Sequence, residues 1–263
     1  MNINRKIKEY RKLNSRNYRK KSGRFILEGY HLLNEALEAE VEIETILYTD
    51  EFVGRAINRR LLAKAGETRI IKVPSKVFKA IAQTENPQGV GAIARFSRCG
   101  VNSVKEDDRF FLMLDGIQDP GNLGTIVRTA AAAPIDGIFL LPGTVDPYNP
   151  KALRATMGGV FNLPVHQVSG IEQCCRLFAQ KDFQFVAADP RGETFYHDVD
   201  FSRPSVVIIG NESRGVQNKL LEKADTRAVI PLEGKIAALN AAVAASLFIF
   251  EYRRQQRRKQ FTF

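Results

Sequence analysis

Two apolar stretches near the end of the chain are VVIIGNESRGV (Val206–Val216) and VIPLEGKIAALNAAVAASLFIFE (Val229–Glu251). In the first, β-branched residues end at Gly210 and a polar turn follows, which is typical of a buried strand that opens into a loop. In the second, a short apolar run ends at Ile230 and Pro231, and a long stretch rich in small residues follows. Open parallel sheets bind ligands at the carboxyl ends of their strands, so both stretches predict an α/β fold with a ligand site in these loops.

The same alternation of strands and helices extends back along the chain to residue 109. Strands are expected at 109–114, 137–141, 164–168, 183–188, 205–210 and 227–231. Helices are expected at 122–133, 150–158, 171–180, 216–224 and 237–258. Elements of these lengths predict that residues 109–263 form one α/β domain, with a mostly parallel sheet covered on both faces.

A smaller alternation precedes it and predicts a second α/β domain at residues 25–97. Its expected strands lie at 24–27, 43–48, 68–73 and 89–96, and its expected helices at 29–40, at 52–65 and after Pro74. Residues 98–108 are polar and show no sustained periodicity. They are interpreted as a linker between the two domains.

Positive charge is concentrated at the two ends of the chain. The net charge is +10, yet residues 1–24 alone hold ten lysines and arginines against one acid, and 251–263 hold five against one. Such charge favours a polyanionic partner, and Tyr10 and Tyr18 add aromatic rings suited to bases. Four residues recur at helical spacing: Ile3, Ile7, Tyr10 and Asn14. The segment 1–24 is interpreted as a basic arm suited to phosphates and bases, with a solvated tail as the alternative.

The remaining composition predicts a cytoplasmic protein without a membrane segment. Neither the N-terminus nor any other window contains an apolar run of the length that a leader or a membrane span needs. The three cysteines leave one unpaired and have no Cys-x-x-Cys spacing, which favours reduced thiols. The histidines lack the spacing of metal ligands, so no metal is expected.

Two further segments also place Gly, Pro and Asn at predicted strand ends. They are LDGIQDPGNLGTIVRTAAAA (Leu114–Ala133) and LLPGTVDPYNPKALRATMGGVFNLPV (Leu140–Val165). In the first, the turn that ends at Asn122 supplies a helix cap, and Arg128 follows in the helix. Taken alone, the first segment is best interpreted as a capped helix with a surface arginine, and the second fits an ordinary loop and helix equally well.

Together these four stretches resemble the signature motifs of the SpoU/TrmH family of RNA ribose 2′-O-methyltransferases. The matching positions in chain order are Asn122, Gly124, Arg128, Lys151, Ala152, Arg154, Thr156, Gly158, Gly210, Glu212, Gly215, Ile230, Pro231, Leu239 and Asn240. Residues 25–97 resemble, more loosely, the substrate-binding domain of many members, which is similar to a small α/β RNA-binding fold of certain ribosomal proteins. The resemblance therefore covers both predicted domains.

The resemblance implies a SPOUT-type α/β fold with a deep trefoil knot and a homodimer formed through the C-terminal domain. It implies transfer of a methyl group from S-adenosyl-methionine to a ribose 2′-hydroxyl of RNA. The two-domain layout and the basic ends favour ribosomal RNA as the substrate, with transfer RNA as the alternative. The implied catalytic residues are Asn122, Arg128, Glu212 and Asn240. The implied cofactor-binding residues are Gly210, Ile230, Leu232 and Leu239.

The resemblance also implies a role for Arg128 in activating the hydroxyl. A guanidinium stays protonated near neutrality and is a poor base, so we expect Arg128 to hold the adjacent phosphate and align the hydroxyl. The phosphate or a water could then accept the proton. Asn122 and Glu212 would orient Arg128 and the loops, or would serve only as a helix cap and a packing anchor.

One departure from the family pattern leaves other functions open. The family commonly has serines around the Leu-Asn pair, where this chain has Ala238, Ala241 and Ala242. A non-catalytic RNA-binding protein that acts in ribosome assembly is therefore the main alternative, although the retained polar motif residues oppose it. Methylation of a base is a weaker third possibility, and Arg128 argues for ribose.

Overall fold

The structure is a computed structural model of the 263-residue chain. It describes residues 3–96, 104–179, 181–236 and 238–261. The chain forms two compact units: Met1–Arg98 with Asp146–Phe161, and Cys99–Val145 with Asn162–Phe263. The predicted second domain thus differs from the second unit by the segment 146–161. Most of the predicted linker lies outside the described residues.

The first unit is built on a four-stranded sheet. Its strands are β1 (Arg24–Glu28), β2 (Ile43–Tyr48), β3 (Arg69–Lys72) and β4 (Val90–Arg95). Its helices are α1 (Ile3–Lys12), α2 (Arg16–Ser22), α3 (Tyr30–Glu38), α4 (Asp50–Val53), α5 (Ala56–Lys64), α6 (Ser75–Lys79) and, much later in the chain, α8 (Pro150–Ala155). The strand order is β1-β4-β2-β3, with β4 antiparallel to both neighbours and β3 parallel to β2.

The helix predicted at 52–65 is two helices in the structure. Arg55 has extended backbone angles (φ −95°, ψ 136°), and this separates α4 from α5. The Thr49 side chain caps α4 by accepting a hydrogen bond from the Phe52 backbone at 3.4 Å. The apolar periodicity continues through the break, which is why the sequence pattern predicted a single helix.

Within the predicted arm, the described residues 3–24 are not free of the folded unit, and the arm interpretation is wrong in this respect. Tyr10 and Leu13 are fully buried in the core of the first unit, and the Tyr10 hydroxyl donates to the Leu27 carbonyl at 3.2 Å. The Arg19 guanidinium is also buried and donates to the Asp146 carboxylate at 2.9 and 2.6 Å. The predicted helical spacing is confirmed, but the same spacing buries Tyr10, so its ring is not exposed to stack on a base.

The segment Asp146–Phe161 packs within the first unit. The Tyr148 ring lies 4.7 Å from the ring of Phe25 and 4.4 Å from that of Phe96, between centroids. Gly158 has a φ of +88°, and a Cβ there would meet the side chain of Glu35. The motif residues Lys151, Ala152, Arg154, Thr156 and Gly158 therefore belong to this unit, which strand and helix periodicity alone does not specify.

The second unit contains a seven-stranded sheet. Its strands are β5 (Phe110–Asp115), β6 (Gly137–Leu140), β7 (Val165–Gln167), β8 (Gln184–Ala188), β9 (Thr194–Phe195), β10 (Ser205–Gly210) and β11 (Thr226–Val229). Its helices are α7 (Pro120–Ala132), α10 (Ile171–Ala179), α11 (Asn218–Leu221) and α12 (Ala241–Phe261), with α9 (Gly159–Asn162) at the junction. The order is β7-β6-β5-β10-β8-β11-β9, and every pair is parallel. The predicted mostly parallel α/β fold is confirmed.

The centre of this sheet positions the candidate site. β10 lies between β5 and β8, and Gly210 is in register with Asp115 at the ends of their strands. Parallel strands direct their carboxyl ends to one edge, so the loops that follow β5, β8, β10 and β11 meet there. The short strand β9, at the edge of the sheet beside β11, was not predicted.

The last helix, α12, runs to Phe261 and includes most of the predicted C-terminal basic segment. It begins at Ala241 rather than at the predicted residue 237, which lies outside the described residues. Within it, Arg254 pairs with Glu251 at 2.6 Å. None of the described helices has both the length and the apolar character needed to cross a membrane.

Candidate functional site

A cavity of about 690 Å³ opens at the carboxyl edge of the large sheet. Its walls come from the residues that follow β8, β10 and β11 and from the start of α12. All four residues predicted to bind a cofactor line it: Gly210, Ile230, Leu232 and Leu239. They come from different loops, and the parallel topology brings those loops together.

The turn after β10 requires a glycine at its first position. A Cβ on Gly210 would lie 2.1 Å from the carbonyl carbon of Gly215 and 2.2 Å from the backbone nitrogen of Val216. Asn211 and Gly215 form an isolated antiparallel bridge, and Gly215 has a φ of +69°. Glycine tolerates both the close approach and the left-handed angle, so the chain reverses sharply beside the cavity.

Buried polar side chains that were not among the predicted site residues hold this turn in place. The Asn211 amide donates to the Gly116 carbonyl at 2.9 Å, and its oxygen accepts from the backbone of Ser213 and Arg214 at 3.0 and 3.2 Å. Asp115 accepts two hydrogen bonds from Gln217, at 2.8 and 2.6 Å. A polar residue at the end of a wholly apolar strand was the available signal for Asp115 and Asn211.

Three of the four predicted catalytic residues form one hydrogen-bonded chain. The Asn122 amide donates to the Glu212 carboxylate at 2.6 Å, and the Asn240 amide donates to the Asn122 oxygen at 2.8 Å. The Asn240 oxygen accepts from the backbone of Ala242 and Val243 and so caps α12. This chain joins the starts of α7 and α12 to the turn after β10.

Asn122 is not the helix cap that the alternative interpretation made it. The N-cap of α7 is Asp119, whose carboxylate accepts from the Asn122 backbone at 2.8 Å. The Asn122 side chain is therefore available for Glu212 and Asn240. Its place between two other polar side chains suits a residue that fixes the relative positions of three segments.

Arg128 is separate from this chain. It lies on the exposed side of α7 and forms no hydrogen bond or ion pair with any residue that the structure describes. Six residues of helix put it about 9 Å along the axis from Asn122 and on a different face. The structure therefore joins Asn122, Glu212 and Asn240 and leaves the Arg128 guanidinium open to a ligand.

The cavity wall combines apolar side chains with few charged groups. Ile209, Ile230 and Leu239 contribute apolar surface, while Arg191 and Arg214 lie among the exposed polar residues of the lining. Asp189 is buried and accepts from the Arg191 backbone at 3.0 Å, which holds the turn after β8. In the described ranges no three His, Cys, Asp or Glu side chains are grouped to hold a metal ion.

Comparison with known proteins assigns both parts of the chain to families. Residues 109–250 match the model of the SpoU rRNA Methylase family, and residues 4–92 match an MRM3-like substrate binding domain. The chain is 33% identical to RlmP of Bacillus subtilis, a 23S rRNA guanosine 2′-O-methyltransferase, over 95% of this chain and 96% of that protein.

Solved structures agree over nearly the whole chain. The AdoMet-bound rRNA methyltransferase from Sinorhizobium meliloti is 33% identical, with a TM-score of 0.85 over 95% of this chain and 94% of that one. The SpoU methyltransferase AviRb from Streptomyces viridochromogenes, in complex with the cofactor AdoMet, is 27% identical, with a TM-score of 0.87 over 98% and 99%. With motifs, fold and family model in agreement, this chain belongs to the SpoU rRNA methylase family.

Proposed function

We propose that this protein transfers a methyl group from S-adenosyl-methionine to a ribose 2′-hydroxyl of ribosomal RNA. The observation that carries the proposal is the cavity at the sheet edge, bounded by the turn after β10 and adjoining the Asn122–Glu212–Asn240 chain. Relatives named as 23S rRNA 2′-O-methyltransferases support the substrate, and AdoMet-bound neighbours support the cofactor.

The cavity suits a nucleoside cofactor. Its volume of about 690 Å³ is within the usual range for small-molecule sites. Ile230 and Leu239 supply apolar surface for an adenine ring, and the tight turn at Gly210 exposes backbone groups that a side chain would otherwise cover. Gly210, Ile230, Leu232 and Leu239 would therefore hold the cofactor. When bound, S-adenosyl-methionine supplies a sulfonium methyl group, whose carbon bonds to the 2′-oxygen as its bond to sulfur breaks.

Arg128 would position the RNA. Its guanidinium has no partner among the described residues, so it is free to form a bidentate contact with the phosphate beside the target ribose. That contact would align the 2′-oxygen for an in-line displacement, which is a large part of catalysis when two reactants must meet. The hydroxyl proton would pass to a phosphate oxygen or to water.

Asn122, Glu212 and Asn240 would act as positioning residues. Their hydrogen bonds fix the start of α7, which carries Arg128, against the turn that begins at Gly210. Charge-assisted hydrogen bonds such as that between Asn122 and Glu212 are among the stronger ones in proteins. Loss of the chain would therefore affect the alignment of RNA and cofactor more than the binding of either.

The assembly proposed for the second unit is a homodimer with a knotted C-terminal segment. Val243 is 48% exposed and Phe250 is 55% exposed, and they lie two turns apart on one face of α12. Two such side chains could contribute to an interface with a second copy, and the homodimer itself is proposed from the family resemblance. The proposed knot is supported by the path of the segment after β11, which passes the ends of the strands and brings the Asn240 side chain to Asn122.

The division of labour follows the two family matches. Residues 25–97 would bind the RNA substrate in a fold resembling ribosomal proteins, and residues 109–263 would carry catalysis. The protein would act in the cytoplasm, together with its ribosomal RNA. Cys174 and Cys175 are free thiols, which agrees with a reducing compartment.

A non-catalytic RNA-binding role is the second candidate. Ala238 and Ala241 line the cavity without the hydroxyl groups that the family commonly has near these positions. A loss of hydroxyl contacts would weaken the cofactor or substrate site, although backbone contacts would remain. The two functions differ in whether RNA gains a methyl group.

The deciding experiment is to map 2′-O-methylated nucleotides in RNA from cells with and without the gene. We expect one ribosomal RNA site to lose its methyl group in the deletion strain and to regain it on complementation. The purified protein should restore the modification to deletion-strain RNA when S-adenosyl-methionine is added. Unchanged methylation maps, together with normal RNA binding, would favour the non-catalytic role.

A further inference from the structure

A groove lined by cations lies on the surface of the first unit, at α1 and α2. It encloses about 500 Å³. We call it the cationic groove and define it by its lining residues: Asn4, Arg5, Lys8, Glu9, Lys12, Tyr18 and Arg24. Four of these seven side chains are lysine or arginine, so the groove is strongly electropositive.

The one acid in the groove is neutralised by cations around it. Glu9 pairs with Lys6 at 3.0 Å and with Arg24, and Arg24 also reaches Glu44 at 3.2 Å. Lys6 lies 3.8 Å from Glu44 in the same network. These four largely buried charges balance one another, so Glu9 does not offset the exposed cations.

The other cations of the N-terminal helices are exposed. Of the ten lysines and arginines in residues 1–24, Lys6, Arg19 and Arg24 form ion pairs. Seven are exposed and have no ion pair with any described residue: Arg5, Lys8, Arg11, Lys12, Arg16, Lys20 and Lys21. The ion pairs therefore hold α1 and α2 against the rest of the unit, while the seven other cations remain exposed on the surface of these helices.

The packing of α1 and α2 against the unit also fixes the spacing of the exposed cations. Tyr10, Leu13 and Arg19 are buried, so α1 and α2 cannot move as a loose tail. Arg5, Lys8 and Lys12 follow helical spacing along one side of α1 and cover about 10 Å of its axis. Three cations within this length can each pair with a phosphate of one nucleic-acid strand.

Tyr18 adds an aromatic surface to the groove. The Lys12 ammonium lies 5.7 Å from the centre of its ring, and the ring is only partly buried. An aromatic ring beside a row of cations is how proteins hold single-stranded nucleic acid, because bases stack while phosphates pair. A membrane surface fits less well, because the apolar face of α1 is buried against the core.

We propose that the cationic groove binds the backbone of a single-stranded segment of the RNA substrate, with one base stacked on Tyr18. Only the identity of the polyanion rests on the proposed function. The groove is separate from the residues assigned to methyl transfer, so it would contribute affinity without contributing chemistry.

The test uses the full-length protein, a poly(U) oligonucleotide and a potassium chloride series. One variant combines Arg5→Gln, Lys8→Gln and Lys12→Gln. Its matched control removes three exposed cations elsewhere in the same unit: Arg60→Gln, Lys76→Gln and Lys79→Gln. Each phosphate contact on a single strand adds about 0.7 to the slope of log affinity against log salt, so the groove variant should lose about two from that slope. The control should keep the wild-type slope.

A separate variant, Tyr18→Leu, keeps apolar bulk but removes the ring. It should bind poly(U) about fivefold or more weakly with an unchanged salt slope. Equal salt slopes for the groove and control variants would overturn the proposal. Binding to anionic lipid vesicles is measured in parallel, and a groove variant that loses affinity only for the vesicles would also overturn it. Methylation of ribosomal RNA is measured beside binding. If the protein methylates ribosomal RNA but the groove and control variants have equal salt slopes, the groove proposal is wrong and the proposed function stands. If the slopes differ but no methylation occurs, only the proposed function is wrong.

Discussion

Replacing Gly210 by alanine should damage the proposed cofactor site more than the same replacement at Gly234 in the loop after β11. The new Cβ would lie 2.1 Å from the Gly215 carbonyl carbon and 2.2 Å from the Val216 nitrogen. Cβ atoms essentially never approach other atoms within 3.0 Å. Because the obstructing atoms are backbone, no side-chain rotation relieves the contact, and the turn must shift by about 1 Å.

The size of the effect follows from that shift. Overpacking of a rigid site costs about 1–3 kcal/mol in the free energy of unfolding. The turn also borders the cavity, so the backbone groups beside Gly210 would be displaced from any bound ligand. We expect affinity for S-adenosyl-methionine to fall at least about tenfold, which corresponds to about 1.4 kcal/mol.

Gly234 offers a matched control in the loop after β11. A Cβ there has no atom within 4 Å, and Gly234 does not have a left-handed φ. Gly234→Ala should therefore change unfolding by less than about 0.5 kcal/mol and leave cofactor affinity unchanged. The assays are calorimetric titration with S-adenosyl-methionine and urea unfolding of both variants. If Gly210→Ala binds and unfolds like the wild type, the close approach has no functional importance and the argument fails.

Three further changes test other parts of the structure. Arg128→Lys should keep cofactor affinity yet lose most methylation of ribosomal RNA, because an ammonium cannot reproduce a bidentate contact; near-normal turnover would refute its role. Arg19→Met leaves the buried Asp146 carboxylate unpaired and should cost about 3–5 kcal/mol in urea unfolding, while Arg16→Met, at an exposed site, should cost little. Burial raises the pKa of the Cys174 thiol to about 12, so it stays protonated below that pH; alkylation at pH 8, followed by mass spectrometry, should label it only after unfolding.

The pattern of the second unit was largely readable from the sequence. Buried parallel strands give continuous apolar runs, and the glycine at position 210 marks where such a run turns into a loop. The family resemblance, and not this pattern, implied that Gly210, Ile230, Leu232 and Leu239 contact one cofactor, and all four line one cavity. Their roles toward a cofactor remain predictions.

The N-terminal helices show where sequence patterns stop being informative. The spacing of Ile3, Ile7 and Tyr10 predicted the helix correctly, but high charge density favoured an exposed arm. Which face a helix buries depends on its tertiary partner, here the core that receives Tyr10 and the carboxylate that receives Arg19. Neither partner is close in sequence, so periodicity could not identify them. The exposed position of Arg128 on a capped helix was predicted, but its separation from the hydrogen-bonded side chains of Asn122, Glu212 and Asn240 was not.

The return of Asp146–Phe161 to the first unit limits how this protein can be divided or recombined. The chain passes between the units three times, so no single cut yields two complete parts. A fragment starting near residue 105 would carry Asp146 without Arg19 and Tyr148 without Phe25, its contacts in the first unit. Exchange of the first unit between relatives would therefore need two coordinated replacements, because the N-terminal portion and this short internal segment form one structural module.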